Sequence, residues 1–98
     1  MDKILVVYKY NQVKQSIIKE LEREGYDIRS VEADSLDFPT LDPSDFNLAV
    51  ITPCADVSST WGIFLDFKEH FRDLPIVAYM GQHGVEHLKS AIKKVLNK

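Results

Sequence analysis

The 98-residue sequence predicts an α/β fold, a three-layer sandwich around a parallel sheet of strand order 2-1-3-4. Three observations lead there. Residues 3–8 (KILVVY), 47–52 (NLAVIT) and 75–80 (PIVAYM) are nearly continuous apolar runs, which suits strands buried on both sheet faces. Segments with apolar residues at helical spacing lie between and after them. Alternation of strand and helix implies parallel strands joined by right-handed crossovers.

Strand one, 3–8, opens the chain. Val13, Ile17, Ile18 and Leu21 then form one helical stripe, with Asn11 as the expected N-cap and Gly25 as the stop. Strand two, 27–32 (DIRSVE), alternates and carries charge, so it reads as an edge. The stretch 33–46 (ADSLDFPTLDPSDF) holds Pro39 and Pro43, and is expected to be a loop with at most one short helical turn. Strand three follows at 47–52. Phe64, Phe67 and Phe71 mark a second helix, with Thr60 as its expected cap. Strand four, 75–80, leads to a third helix carrying Val85, Leu88, Ile92, Val95 and Leu96. Gly84 marks its start, and its basic end suits the helix dipole.

Composition narrows the function. One domain spanning 1–98 is the natural expectation at this length. Apolar residues make up 45% and charged residues 28%, with a net charge of −3, which gives no general pull toward nucleic acid or anionic membranes. No apolar run is long enough to cross a bilayer, and MDKILVV does not read as a secretion signal. The single cysteine, Cys54, cannot form an internal disulfide. A cytoplasmic protein is expected.

In a sheet of this order, ligands sit beyond the carboxyl ends of strands one and three. That places Tyr8–Asn11, Thr52–Asp56 and Met80–His83 around one crevice. Lys9, Asn11 and Lys14 offer two ammonium groups at a helix start for an anion, although a solvated helix start is the commoner meaning of such charges. Tyr8 and Tyr10 are expected to cap the core edge. Cys54 would need a cation to become reactive, for which Lys9 is the nearest source, and a buried inert thiol is the favoured reading. His83 and His87 stand at metal-ligand spacing, but no third ligand completes a set. The acids Glu32, Asp34, Asp37, Asp42 and Asp45 do not follow a calcium-loop pattern and read as a solvated loop. Trp61 either stacks on a ligand or, the favoured reading, packs at the entrance of helix two. The basic residues Lys89, Lys93, Lys94 and Lys98 are too few to indicate nucleic acid.

The stretches KILVVYKYNQVKQSIIKELEREGYDI, FNLAVITP and LPIVAYMGQHGVEHLKSAIK together resemble a response-regulator receiver domain over most of the chain. The resemblance implies a flavodoxin-like fold and a signalling role. It also implies an acidic pair after strand one, where Tyr8 and Lys9 stand, and a phosphoacceptor aspartate at the position of Thr52. A serine or threonine is implied where Met80 stands. The family's fifth strand, with its switch lysine, and its final helix are expected to be lacking. Phosphoryl transfer to a carboxylate needs that carboxylate and a cation, and Lys9 would repel a divalent ion. A degenerate, truncated receiver follows: a non-catalytic module without cofactor that binds another protein, or itself through the strand-four edge at 75–80.

A second resemblance is to flavodoxins, carried by VEADSLDFPTLDPSDFNLAVITP and STWG. It implies a small FMN-binding electron carrier, with Trp61 stacked on the flavin. KYNQVKQ lacks the glycines that let backbone amides close round a phosphate. A thiol enzyme using Cys54 has the least support. The crevice candidates are therefore Tyr8, Lys9, Asn11, Thr52, Cys54, Trp61, Met80 and Gly81. No residue is assigned a catalytic or metal-binding role.

Overall fold

A computed structural model describes residues 2–35, 41–53, 57–79 and 84–96. Strand β1 spans Lys3–Tyr8, helix α1 Asn11–Arg23, β2 Asp27–Glu32, β3 Leu48–Ile51, α2 Val57–His70, β4 Ile76–Ala78 and α3 Gly84–Leu96. The four strands form one parallel sheet of order β2-β1-β3-β4. β1 and β2 have the expected limits. β3 and β4 are shorter than the apolar runs that announced them. Asn47 lies outside β3 because it serves the strand's start: its side chain accepts the Lys3 amide and its own amide donates to the Lys3 carbonyl, both at 2.8 Å.

Every residue of Ile4–Val7 and Leu48–Ile51 is fully buried. Alternation along the strands divides them between two cores. Ile4, Val6, Leu48 and Val50 meet Ile17 and Leu21 of α1 and Leu88 and Ile92 of α3. Leu5, Val7, Ala49 and Ile51 meet Phe67 of α2, with Phe71 and Leu74 just beyond it. This placement follows from handedness. The β1-to-β2 and β3-to-β4 crossovers run in opposite directions along the sheet, so right-handed connections put α1 and α2 on opposite faces.

The β2-to-β3 connection crosses β1 on the α2 face. Among the described residues it contains two 3-10 turns, Ala33–Ser35 and Pro43–Asp45, where at most one was expected. Leu41 and Phe46 seal the core beside Leu5 and Val7, the work an amphipathic helix would otherwise do. Asp42 stabilises the second turn by accepting the Ser44 amide at 2.9 Å and its hydroxyl at 2.7 Å. These bonds hold the Asp42 carboxyl below the usual carboxylate range.

Two helix boundaries differ from expectation. Asn11 is the first helical residue, and Tyr10 holds the N-cap position without a side-chain cap bond. Thr60, expected to cap α2, lies inside it and is buried, because the helix begins at Val57. Gly25 ends α1 as expected. Its φ of 92° is the left-handed conformation, and bonds from Gly25 to Glu22 and from Tyr26 to Leu21 close the end. α3 begins at Gly84, with φ of 76°. Lys89 binds Glu20 at 2.8 Å and Glu86 at 3.3 Å, and Lys93 binds Glu24 at 3.1 Å, tying α3 to α1 across their exposed seam. No helix among the described residues is long and apolar enough to cross a membrane.

Candidate functional site

Parallel pairing brings the carboxyl ends of β1, β2 and β3 together, with Tyr8 in register with Glu32 and Val7 with Ile51. The cavity at this end, about 410 Å³, is lined by Tyr8, Lys9, Tyr10, Asn11, Gln12 and Glu32. It lies over β1 and β2; the β1–β3 crevice expected for a ligand also takes in residues 54–56 and 80–83, which lie outside the described residues. Tyr8, Lys9 and Asn11 share it. Thr52 and Trp61 do not line it.

Lys9 is paired rather than free. Its ammonium forms a charge-assisted hydrogen bond with the Asp34 carboxylate, and that bond together with the attraction of the acid raises its pKa. Lys14 is held too, its ammonium 4.6 Å above the centre of the Tyr8 ring. Both candidate anion ligands are thus engaged. Tyr8 is half-buried under Lys14. Tyr10, expected to cap the core, is 45% exposed. Asp34 is the functional neighbour that sequence reasoning did not single out. The available signal was its position two residues past β2, which in a parallel sheet lies beside the residue after β1.

Thr52 is fully buried at the end of β3. Its hydroxyl donates to the Val7 carbonyl at 2.8 Å, and its amide donates to the same oxygen at 3.0 Å. The hydroxyl proton is therefore directed at the backbone of β1. A buried alcohol whose proton is given to a backbone carbonyl is a poor nucleophile.

Trp61 lies elsewhere. It was expected to pack at the helix entrance, yet its side chain is 56% exposed and meets Phe64 edge-to-face at 5.3 Å. With Thr60, Phe64 and Ala78 it surrounds a small apolar cavity beside β4. Leu65, one turn on, is also exposed. The larger groove, about 660 Å³, lies at the opposite end of the sheet and includes Asn47, His70, Arg72 and Pro75. The His70 ring is held there by a 2.9 Å bond from Nδ1 to the Asp66 carbonyl.

Cys54, Met80, Gly81 and His83 lie outside the described residues. Among the described residues no group of three or more His, Cys, Asp or Glu side chains is placed to hold a metal ion. The acids expected to form one solvated loop divide instead: Asp34 pairs with Lys9, and Asp42 holds its own turn.

No family model matches the chain, and no curated protein matches it. Among solved structures, the response regulator TrrA, crystallised in complex with the histidine kinase ThkA, superposes with a TM-score of 0.79. The match covers 98% of this chain and 99% of that one at 18% sequence identity. The likeness shows the fold: four parallel strands in order 2-1-3-4 flanked by helices, the flavodoxin-like arrangement of a receiver domain.

Proposed function

We propose that this chain is a receiver-like signalling module that acts in the cytoplasm by binding another protein and does not accept a phosphoryl group. One observation carries the reading. At the place where a receiver would present its acceptor carboxylate, the Thr52 hydroxyl is buried and spent on the Val7 carbonyl. The neighbouring Lys9 supports it, since its ammonium holds the Asp34 carboxylate that a divalent cation at this end would have to take from it. TrrA was solved with a kinase bound, which supports a protein as the kind of partner. The exposed side of β4 adds self-association as one mode, because a strand at a sheet edge offers unpaired backbone groups.

The test is intact-mass measurement after incubation with magnesium and a small phosphodonor. An unchanged mass is expected, and a covalent phosphoryl adduct would overturn the inactive assignment. Concentration-dependent sedimentation tests self-association separately.

A further inference from the structure

The backbone of β4 is directed in a definite way. The Ala49 amide donates to the Pro75 carbonyl at 2.9 Å, and the Tyr79 amide donates to the Ile51 carbonyl at 2.8 Å. Residues 75, 77 and 79 therefore turn their polar groups toward β3. Strand alternation then turns the N–H and C=O of Ile76 and Ala78 outward. The side chains of these two residues share the α2 face. Ile76 packs against the Leu5 cluster, while Ala78 floors a cavity of about 150 Å³ walled by Thr60, Trp61 and Phe64. Val77 faces the opposite core.

We propose that β4 pairs antiparallel with β4 of a second copy, with Val77 opposite Val77 on the twofold axis. The inference rests on the self-association reading above and fixes its geometry. In this register Ile76 of each copy stands opposite Ala78 of the other, and both are outward-facing positions. They form two hydrogen-bonded pairs, so the outward amides and carbonyls of both strands are all matched. Any register shifted by one residue would set outward groups against inward ones.

Size agrees with this pairing. The branched Ile76 side chain meets the smallest residue of the strand, beside a cavity whose walls are apolar. Charge agrees as well. The twofold axis sets the two α2 helices side by side and antiparallel on one face of a continuous sheet. Residues 57–65 of α2 carry no charge, and its charged residues begin at Asp66. Each uncharged half then faces the other copy's charged half, so like charges are not opposed and the helix dipoles run antiparallel. Trp61, 56% exposed, walls the cavity over Ala78 and so stands at the edge that the second copy would cover.

Single-cysteine variants read the register directly. In a Cys54→Ser background, Val77→Cys, Ile76→Cys and Ala78→Cys are oxidised mildly and resolved by non-reducing electrophoresis. Opposed residues of a non-hydrogen-bonded antiparallel pair have Cα atoms about 4.5 Å apart, within disulfide reach, whereas the other two positions lie two residues out of line with their own copies. At least tenfold more cross-linked dimer is expected from Val77→Cys than from either neighbour. The Cys54→Ser protein should sediment with a mass that rises above 11.2 kDa with concentration. Trp61→Glu, which leaves the strand unaltered, should weaken association at least tenfold while circular dichroism stays native. Concentration-dependent dimers without preferential Val77→Cys cross-linking would overturn this register and leave self-association standing. A monomer at every concentration would overturn both.

Discussion

Thr52 is a sensitive position because its hydroxyl is buried and its acceptor is backbone. Thr52→Val keeps the shape and removes the bond, and about 1 kcal/mol of stability should be lost in urea unfolding. Thr52→Asp restores the residue type that a receiver carries there. It would bury a carboxylate against the Val7 carbonyl oxygen, and should cost at least about 3 kcal/mol. A Thr52→Asp protein as stable as the parent would mean that the site opens more readily than this geometry implies. Gly25 shows the other kind of single-residue constraint. A Cβ there would meet nothing within 4 Å, so the cost of Gly25→Ala comes from its φ of 92° alone. About 1–2 kcal/mol is expected from thermal or urea unfolding. Gly25 was legible in the sequence because it follows a helical stripe. The Lys9–Asp34 pair was not, since nothing local to either residue announces a contact across 25 positions.

Among the elements, α3 depends most on its neighbours. Leu88 and Ile92 bury it against the sheet, and Leu88→Ala should cost about 2–5 kcal/mol. The seam with α1 adds a pH dependence of known sign. The hydrogen bond from Lys89 lowers the Glu20 pKa, so the folded state gains stability above the ordinary glutamate range and loses it as pH falls through the lowered value. The Lys89 pKa is raised by the hydrogen bond to Glu20, so its contribution is present below the ordinary lysine range and disappears as pH rises through the raised value. Glu20→Gln should flatten the acid limb of a stability–pH curve, and high salt should flatten it in the parent. Strands β1 and β3 could be read from sequence because residues buried on both faces leave an uninterrupted apolar run. Helix α2 was harder. Thr60, Phe64, Phe67 and Phe71 repeat at helical spacing and face inward, but Trp61, Ile63 and Leu65 are apolar as well. A helix with apolar residues on most sides does not reveal from its pattern which side meets the sheet. Trp61 was expected to be packed because aromatics bury large areas in small cores, and was found at the surface.

At the scale of the whole molecule, the two faces of the sheet are covered unequally. α1 and α3 shield one face, whereas α2 shares the other with the β2-to-β3 crossover, of which Leu41 and Phe46 are buried anchors among the described residues. Residues 41–46 hold only one short 3-10 turn, with fewer mutual hydrogen bonds than a helix, so this side should open first. Native-state hydrogen exchange should find the amides of 41–46 less protected than those of Ile17 and Leu21, and Phe46→Ala should widen the difference. Equal protection on both sides would contradict that order. The fold class and strand order were legible because alternation of element types constrains topology strongly. The candidate site was less so, because the contacts at the carboxyl ends join segments far apart in the chain. The doubly occupied Val7 oxygen has one last consequence: it rivets β1 and β3 together at the end where a relay would have to flex. Such a body should dock as a rigid object, and its association with a partner should follow a single exponential whose rate rises linearly with concentration, without a slow rearrangement trailing behind.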